Sequence, residues 1–209
     1  MSVSTDPPSE EAGDDASPGV SPRPTHRLRD SAVVVLVALL LAVLLRLFVV
    51  ESYFIPSASM EPTLREGDRI LVNKLSYDFH GVHRGDIVVF SRPSTENCGG
   101  PVVPDLVKRI IGLPGETISL SGNGHVVIDG KLLHETWLPA SNQGTTYPGP
   151  SGTSYDLDHP YKIPSNDYFV MGDNRQDSCD SRYWGPIAKS LIVGKVDVRI
   201  WPLSAFRFF

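Results

Sequence analysis

The sequence predicts a mainly β domain carried on a single N-terminal membrane-spanning helix. Three observations support this prediction. Gly and Pro each occur 18 times in 209 residues, which favours strands and turns over long helices. Seven short runs rich in β-branched and aromatic residues follow one another between turns, most of which contain glycine. Near the N-terminus, one long stretch is almost entirely apolar. A chain of this length holds one core of ordinary size with short appendages.

The first 30 residues predict a disordered tail. They include five prolines and six acidic residues, with almost no large apolar side chain before Leu28. A segment of this composition buries too little surface to offset the entropy of ordering its backbone.

The next segment, residues 31–50, is predicted to span a membrane. From Ala32 to Val50, all 19 residues except Arg46 are apolar, and a helix of that length covers about 28 Å, close to the hydrocarbon thickness of a bilayer. Arg46 lies one turn from the end and can extend to the headgroups. A buried core helix is a weaker alternative because the run has no polar face. A cleaved secretory signal is suggested by the small residues 57–59, but the run is longer than the usual signal core.

Charge predicts the orientation and the partners. Arg23, Arg27 and Arg29 precede the helix, whereas Arg65 is the only basic residue among the fifteen that follow Val50. The tail is therefore expected in the cytoplasm and residues 51–209 outside, in a single-pass protein of the cell membrane. A net charge of −5 and a pI near 5.6 provide no basic field for nucleic acid. The lipid bilayer is an expected partner and nucleic acid is not.

Short strands are predicted throughout residues 51–209. The runs cover residues 69–75, 86–91, 106–111, 116–120, 125–129, 167–172 and 191–201. The turn SGNG between the fourth and fifth runs predicts a β-hairpin. Residues 134–166, rich in Pro, Gly, Ser and Tyr, predict a long surface excursion between strands.

The first candidate catalytic residues are Ser57 and Ser59, which lie between two prolines just after the apolar segment. Such serines are common in plain turns, and a serine becomes a nucleophile only beside a base. His80 and His83 could suggest a metal pair, but no third ligand clusters with them, which favours a solvated turn. Lys108 is a second candidate base, since its apolar run LVKRIIGLPG would lower the pKa of the amine. Most lysines in strands point to solvent, so this observation alone decides nothing.

A third run, MGDNRQDSCDSRYWGPI at residues 171–187, concentrates polar and charged groups between two apolar strands. Burying so many polar groups would be costly unless they hydrogen-bond to one another. The run therefore predicts either a functional site and its supporting groups or a plain solvated loop.

Taken together and in this order, the three runs closely resemble the bacterial type I signal peptidases, the membrane-anchored serine proteases that remove signal peptides from exported preproteins. The resemblance covers about residues 32–209. PSASMEPTL resembles the nucleophile motif of the family, LVKRIIGLPGE its lysine motif and GDNRQDSCDSRYWG its last motif, with GDRILVNK and RGDIVVF as intervening strands. The resemblance implies a β domain of the signal-peptidase type. It also implies an acyl-enzyme mechanism that needs no metal or cofactor.

Carried over by position, the resemblance makes Ser59 the nucleophile and Lys108 its general base. The Ser57 hydroxyl and the Ser59 backbone NH would form the oxyanion hole. Supporting roles fall to a serine that orients the amine, to an ion pair and to a nearby acidic residue: Ser178, Asp180 with Arg182, and Asp173. Preproteins would be cut after small residues at the first and third positions, as in Ala-x-Ala. The implied pocket walls are Tyr53, Ile55, Met60 and Val107.

Two features set the chain apart within this resemblance. One helix and a modest insert resemble the shorter Gram-positive and actinobacterial forms rather than the two-helix proteobacterial enzymes. Cys98 and Cys179 each lie near a residue that the mechanism brings together, Lys108 or Ser178, and disulfides persist outside the membrane. We therefore predict a disulfide between them; the alternative is two small buried residues.

Two other functions compete with this assignment. One is a different serine–lysine hydrolase of similar β architecture, such as a self-cleaving repressor-like protease. The membrane helix and the lack of a DNA-binding module count against it. The other is a membrane-anchored β module with a degenerate site that binds without catalysis. The presence of both Ser59 and Lys108 counts against that alternative.

Overall fold

The computed structural model describes residue 1 and residues 25–99 and 102–209. Most of the predicted tail, residues 1–30, lies outside the described residues, and so does the side chain of Arg46. The chain forms two compact units, Met1–Leu41 and Ala42–Phe209.

Helix α1 (Thr25–Phe48) begins inside the predicted tail and ends shortly before the predicted end of the apolar segment. Its side chains from Arg29 to Leu44 are exposed. In the part of the chain that the structure describes, no helix has both the length and the apolarity that crossing a membrane requires.

Within its described residues, the second unit contains twelve strands. In chain order they are β1 (Val50–Phe54), β2 (Arg69–Asn73), β3 (Ile87–Ser91), β4 (Asp105–Gly112), β5 (Thr117–Leu120), β6 (Val126–Ile128), β7 (Lys131–Leu132), β8 (Tyr161–Lys162), β9 (Asp167–Met171), β10 (Ile187–Ala188), β11 (Ile192–Trp201) and β12 (Arg207–Phe208). Two short helices, α2 (Ser76–Phe79) and α3 (Ser181–Trp184), lie between strands. The prediction of a mainly β domain is confirmed.

The strands form two antiparallel sheets. The larger has the order β1-β2-β11-β3-β4-β9-β10, with β12 beside β11, and the smaller has the order β7-β6-β5-β8. All seven predicted runs are strands, and β5 and β6 form the predicted hairpin, with Ile118 opposite Ile128. Strand β1 was not predicted, because its first residue, Val50, is also the last of the apolar segment and the run VESYF alternates weakly.

Three apolar clusters form the core. The first packs Ile55 and Met60 against β2 and β3, and Val107 of β4 lies against its edge. The second lies around Val88, Phe90 and Trp184. Strand β3 runs through the centre of the larger sheet with four consecutive residues buried, as expected of a strand covered on both faces. The first cluster thus connects β1, β3 and β4, because Tyr53 and Val107 pack against Val89 and its neighbours.

The prediction that residues 134–166 form a surface excursion was wrong in part. Leu138, Leu157 and Ile163 are buried, and the last two pack with Ile118 and Phe169 in the third core cluster. The smaller sheet has an apolar face to cover, and burying that face favours folding a Pro- and Gly-rich segment onto it.

Candidate active site

A 3₁₀ turn, Ala58–Met60, carries the serine motif immediately after β1. Met60 anchors the turn because it is buried in the first core cluster. The Ser57 and Ser59 hydroxyl oxygens are 3.4 Å apart. From the last motif, the Asn174 backbone NH donates to the Ser59 carbonyl at 3.1 Å, and its side-chain amide donates to the Ala58 carbonyl at 3.2 Å. The turn is therefore held from both sides.

Lys108 reaches this turn from β4. Its Nζ donates to Ser59 Oγ at 2.6 Å, and only 4% of the residue is exposed. Burial lowers the pKa of Lys108 from 10.5 to about 8, although Asp180 opposes the shift. A lysine of this kind is neutral in an appreciable fraction of molecules near neutral pH, and the neutral amine is a competent base.

Gly172 is the point where the last motif meets the serine turn. A Cβ at this position would lie 2.2 Å from Ser178 Oγ and 2.3 Å from the Ser59 carbonyl oxygen, so only glycine fits. The Gly172 NH donates to Asp180 Oδ2 at 3.0 Å. Ser178 Oγ is buried and has no hydrogen-bond partner among the described residues. The hydroxyl that the resemblance assigned to orienting the amine thus lies beside the Ser59 backbone.

The two remaining predicted supporting groups form buried ion pairs. Arg182 donates to both carboxylate oxygens of Asp180 at 2.8 Å. Burial alone would raise the pKa of Asp180, but the charge and hydrogen bonds of Arg182 hold it below its ordinary value. Arg109, the neighbour of Lys108 on β4, donates to Asp173 at 2.7 and 2.5 Å. This second pair fixes β4 against the last motif.

A further buried ion pair, between Arg175 and Glu135, was not predicted from the sequence. Arg175 donates to Glu135 at 2.9 Å and to the Gly172 carbonyl at 3.1 Å. Both charged residues are almost fully buried. The sequence signal that could have indicated it is the position of Glu135 directly before TWLP, which contains the apolar residues Trp137 and Leu138, in a segment predicted to be exposed.

A groove of about 610 Å³ runs past Ser59 and Lys108. All four predicted pocket residues, Tyr53, Ile55, Met60 and Val107, line it. Among the described strands, β1 pairs with β2 alone, and residues 105–108 of β4 pair with β3 alone. Two free backbone edges therefore border the groove, which is the arrangement that accepts an extended peptide.

Cys98 and Cys179 form a disulfide that also lines the groove, with their Cα atoms 6.2 Å apart. Together with Glu96 they are the one group of three potential metal ligands within the described part of the chain. Because the two sulfurs are bonded to each other, neither is available as a thiolate. His80 and His83 belong to no such group among those residues.

The model of one protein family, signal peptidase, peptidase S26, matches residues 28–201. The chain belongs to the signal peptidase family. It is therefore a serine peptidase, as the resemblance of its motifs implied. The match includes the serine turn, β4 and the last motif, which are the segments that meet at the groove.

Individual relatives extend over most of the chain. Signal peptidase I of Leptolyngbya laminosa is 37% identical, in a match covering 90% of this chain and 88% of that protein. Signal peptidase I of Bacillus caldolyticus is 39% identical, covering 82% of this chain and 91% of its own. A solved signal peptidase I from Enterococcus faecalis V583 is 30% identical, with a TM-score of 0.43, and covers 56% of this chain and 97% of that one.

Proposed function

We propose that this signal peptidase removes signal peptides from exported preproteins, with Ser59 as nucleophile and Lys108 as general base. The observation that carries the proposal is the 2.6 Å contact between Lys108 Nζ and Ser59 Oγ. A buried amine of lowered pKa within hydrogen-bond reach of a hydroxyl is the pairing that activates a serine without histidine. Family membership supplies the substrate class.

In the first half of the reaction, the neutral Lys108 amine takes the Ser59 proton while Oγ attacks the carbonyl carbon of the scissile bond. The Ser57 hydroxyl and the Ser59 backbone NH donate to the oxygen as it becomes negative. The tetrahedral intermediate collapses, the C–N bond breaks, and the Lys108 ammonium returns the proton to the leaving amine. A water molecule, deprotonated by Lys108, then hydrolyses the acyl-enzyme and regenerates the free serine.

Substrate specificity follows from how a peptide would lie between the free edges of β1 and β4. Successive side chains of an extended strand point to opposite faces. The first residue before the cut would face Ile55, Met60 and Val107, which leave room for a small side chain. The third residue would face Tyr53, two positions before Ile55 on the same edge. This alternation accounts for small residues at the first and third positions.

We also propose that residues 31–50 anchor the enzyme in the cell membrane, with the N-terminus in the cytoplasm and residues 51–209 outside. The apolar run and the arginines that precede it support this topology. In spheroplasts, an external protease should degrade residues 51–209, and carbonate washing should leave the protein in the membrane pellet. Protection from the protease would contradict the orientation, and release by carbonate would contradict the anchor.

The proposed activity is tested by incubating the full-length protein, solubilised in detergent, with a preprotein and sequencing the new N-terminus. Ser59→Ala and Lys108→Ala should each reduce cleavage at least about a thousandfold, because a dyad fails when either member is removed. Lys131→Ala, which changes an exposed lysine, is the matched control and should retain full activity. Substantial cleavage by either dyad variant would refute the assignment.

Ser57→Ala tests the oxyanion hole separately. Loss of one donor should cost about 2.7–4 kcal/mol of transition-state stabilisation and leave measurable activity. Full activity of this variant would remove Ser57 from the role.

A preprotein with Leu in place of Ala at the first position before the cut should be cleaved poorly by the wild-type enzyme, because the groove beside Ile55 and Val107 excludes large side chains.

A further inference from the structure

Strand β4 presents different walls on its two faces along the groove. Val107 lies against the core cluster that contains Ile55 and Met60. Its neighbour Leu106 packs against the second core cluster, as does Cys179. Because side chains alternate along a strand, a peptide paired with this edge meets the Val107 wall with every second residue and the Leu106 wall with the residues between.

The wall on the Leu106 side is built by the connection between β3 and β4. Val103 and the Cys98–Cys179 disulfide line the groove there. Two further contacts hold the described part of this connection: the Arg92 NH donates to the Pro104 carbonyl at 2.8 Å, and the Cys98 NH donates to Glu96 Oε1 at 3.1 Å. We name Val103, Leu106 and the disulfide the disulfide wall.

One ion pair lies at the edge of this wall. Arg92 and Glu96 form an ion pair in which the glutamate side chain is only 7% exposed. An acidic or basic side chain of a bound peptide would therefore find no unpaired partner in that pair, and it would lose hydration on entering the groove. The sulfurs, Leu106 and Val103 instead offer apolar contact.

We propose that the disulfide wall is a subsite for the second residue before the cut, and that it selects an extended apolar side chain there. The inference rests on the proposed function, because the first and third residues must occupy the Val107 side for the second to face this wall. In this enzyme, the second residue before the cut, which is the x of Ala-x-Ala, is thereby also selected.

The experiment compares preproteins that carry Leu, Gly or Asp as the second residue before the cut, with Ala at the first and third. Wild-type enzyme should cleave the Leu substrate about tenfold faster in kcat/KM than the Gly substrate, as expected for one apolar side chain gaining a pocket. The Asp substrate should be no better than the Gly substrate. A substrate with Leu at the first position is included throughout.

The wall is tested with the double variant Cys98→Ala, Cys179→Ala. Its preference for Leu over Gly at the second position should fall below about twofold, while it continues to reject Leu at the first position. Reducing the wild-type enzyme with a phosphine should reproduce this loss and should leave the double variant unchanged. If the double variant fails to fold, Leu106→Ala provides the same comparison with the disulfide intact.

Each outcome separates the two proposals. Equal cleavage of the Leu and Gly substrates by wild type, with Leu at the first position still rejected, overturns the subsite and leaves the proposed function in place. A second-position preference that survives both loss of the disulfide and Leu106→Ala overturns the assignment to this wall. Failure to cleave any preprotein contradicts the proposed function and the subsite with it.

Discussion

At the level of single residues, the pKa of Lys108 is set by two opposing effects, burial of the amine and the charges of nearby carboxylates. Burial lowers the pKa of its amine to about 8, Asp180 and Asp173 raise it, and Arg182 lowers it further. Arg182 also neutralises Asp180 through two hydrogen bonds. Without Arg182, the uncompensated charge of the Asp180 carboxylate would raise the pKa of the Lys108 amine. The amine would then stay protonated and could not act as the base.

The pH dependence of the reaction should report this residue. Because only the neutral amine accepts the Ser59 proton, kcat/KM should rise with pH and level off above an apparent pKa near 8. The measurement is kcat/KM between pH 6 and 10, with and without EDTA. Chelation should change nothing. A profile that falls as pH rises would indicate a carboxylate base, and inhibition by EDTA a metal.

Gly172 provides a second test at this scale. A methyl group there would lie 2.2 Å from Ser178 Oγ and 2.3 Å from the Ser59 carbonyl, so Gly172→Ala must displace the serine turn from the last motif. We expect at least a hundredfold loss of kcat, since a misplacement of about 1 Å has that effect. Gly122→Ala is the matched control because a Cβ there meets nothing within 4 Å. Equal activity of both variants would contradict this packing.

At the scale of elements, the disulfide joins the connection before β4 to the last motif across 81 residues. Such a link restricts the unfolded chain more than it changes the folded one. Through it, the strand that carries Lys108 and the loop that carries Ser178 share one covalent frame. A hydrogen bond from the Thr95 hydroxyl to the Trp184 carbonyl, 2.9 Å, also ties this connection to the last motif.

Alkylation under non-reducing conditions followed by mass spectrometry should find no free thiol and a peptide pair linked through Cys98 and Cys179. Reduction, or the Cys98→Ala variant, should lower the free energy of unfolding by roughly 2–4 kcal/mol. Two alkylated cysteines in unreduced protein would refute the bond. An unchanged stability on reduction would show that it contributes nothing to the fold.

At the scale of the whole catalytic unit, Glu135 and Arg175 connect the two sheets. Glu135 follows β7 of the smaller sheet and Arg175 follows β9 of the larger. Arg175 donates to Glu135, to Thr146 and to the Gly172 carbonyl. One guanidinium therefore links the segment at 134–166 to the serine turn through Gly172.

Arg175→Met should destabilise the protein by roughly 3–5 kcal/mol, because it leaves the Glu135 carboxylate buried without a partner. Adding Glu135→Leu should recover part of that loss, since the double variant has no buried charge. Urea unfolding measures both, with Arg65→Met, at an exposed site, as the control. A single variant as stable as the control would show that the pair does not connect the sheets energetically.

The pattern of residues along the chain was enough to predict the class of the domain, the seven main strands, the β5–β6 hairpin and the segments that contain the candidate catalytic residues. These follow from local properties: alternation of apolar residues, turn residues, and hydroxyl and amine groups in short motifs. The two-residue strands β7, β8, β10 and β12 were not predicted, since two residues are too few to show a period. The buried role of residues 134–166 escaped because their apolar residues are irregularly spaced.

The tertiary structure alone decided which groups meet. Lys108 reaches Ser59 across 49 residues and Arg175 reaches Glu135 across 40, and no local pattern encodes a contact at such separation. The same holds for the close packing of Gly172 against the serine turn, for Ser178 Oγ lying beside the Ser59 backbone, and for the disulfide forming one wall of the groove. Each depends on how two sheets and their connections pack, because packing, unlike alternation, is a property of the whole chain.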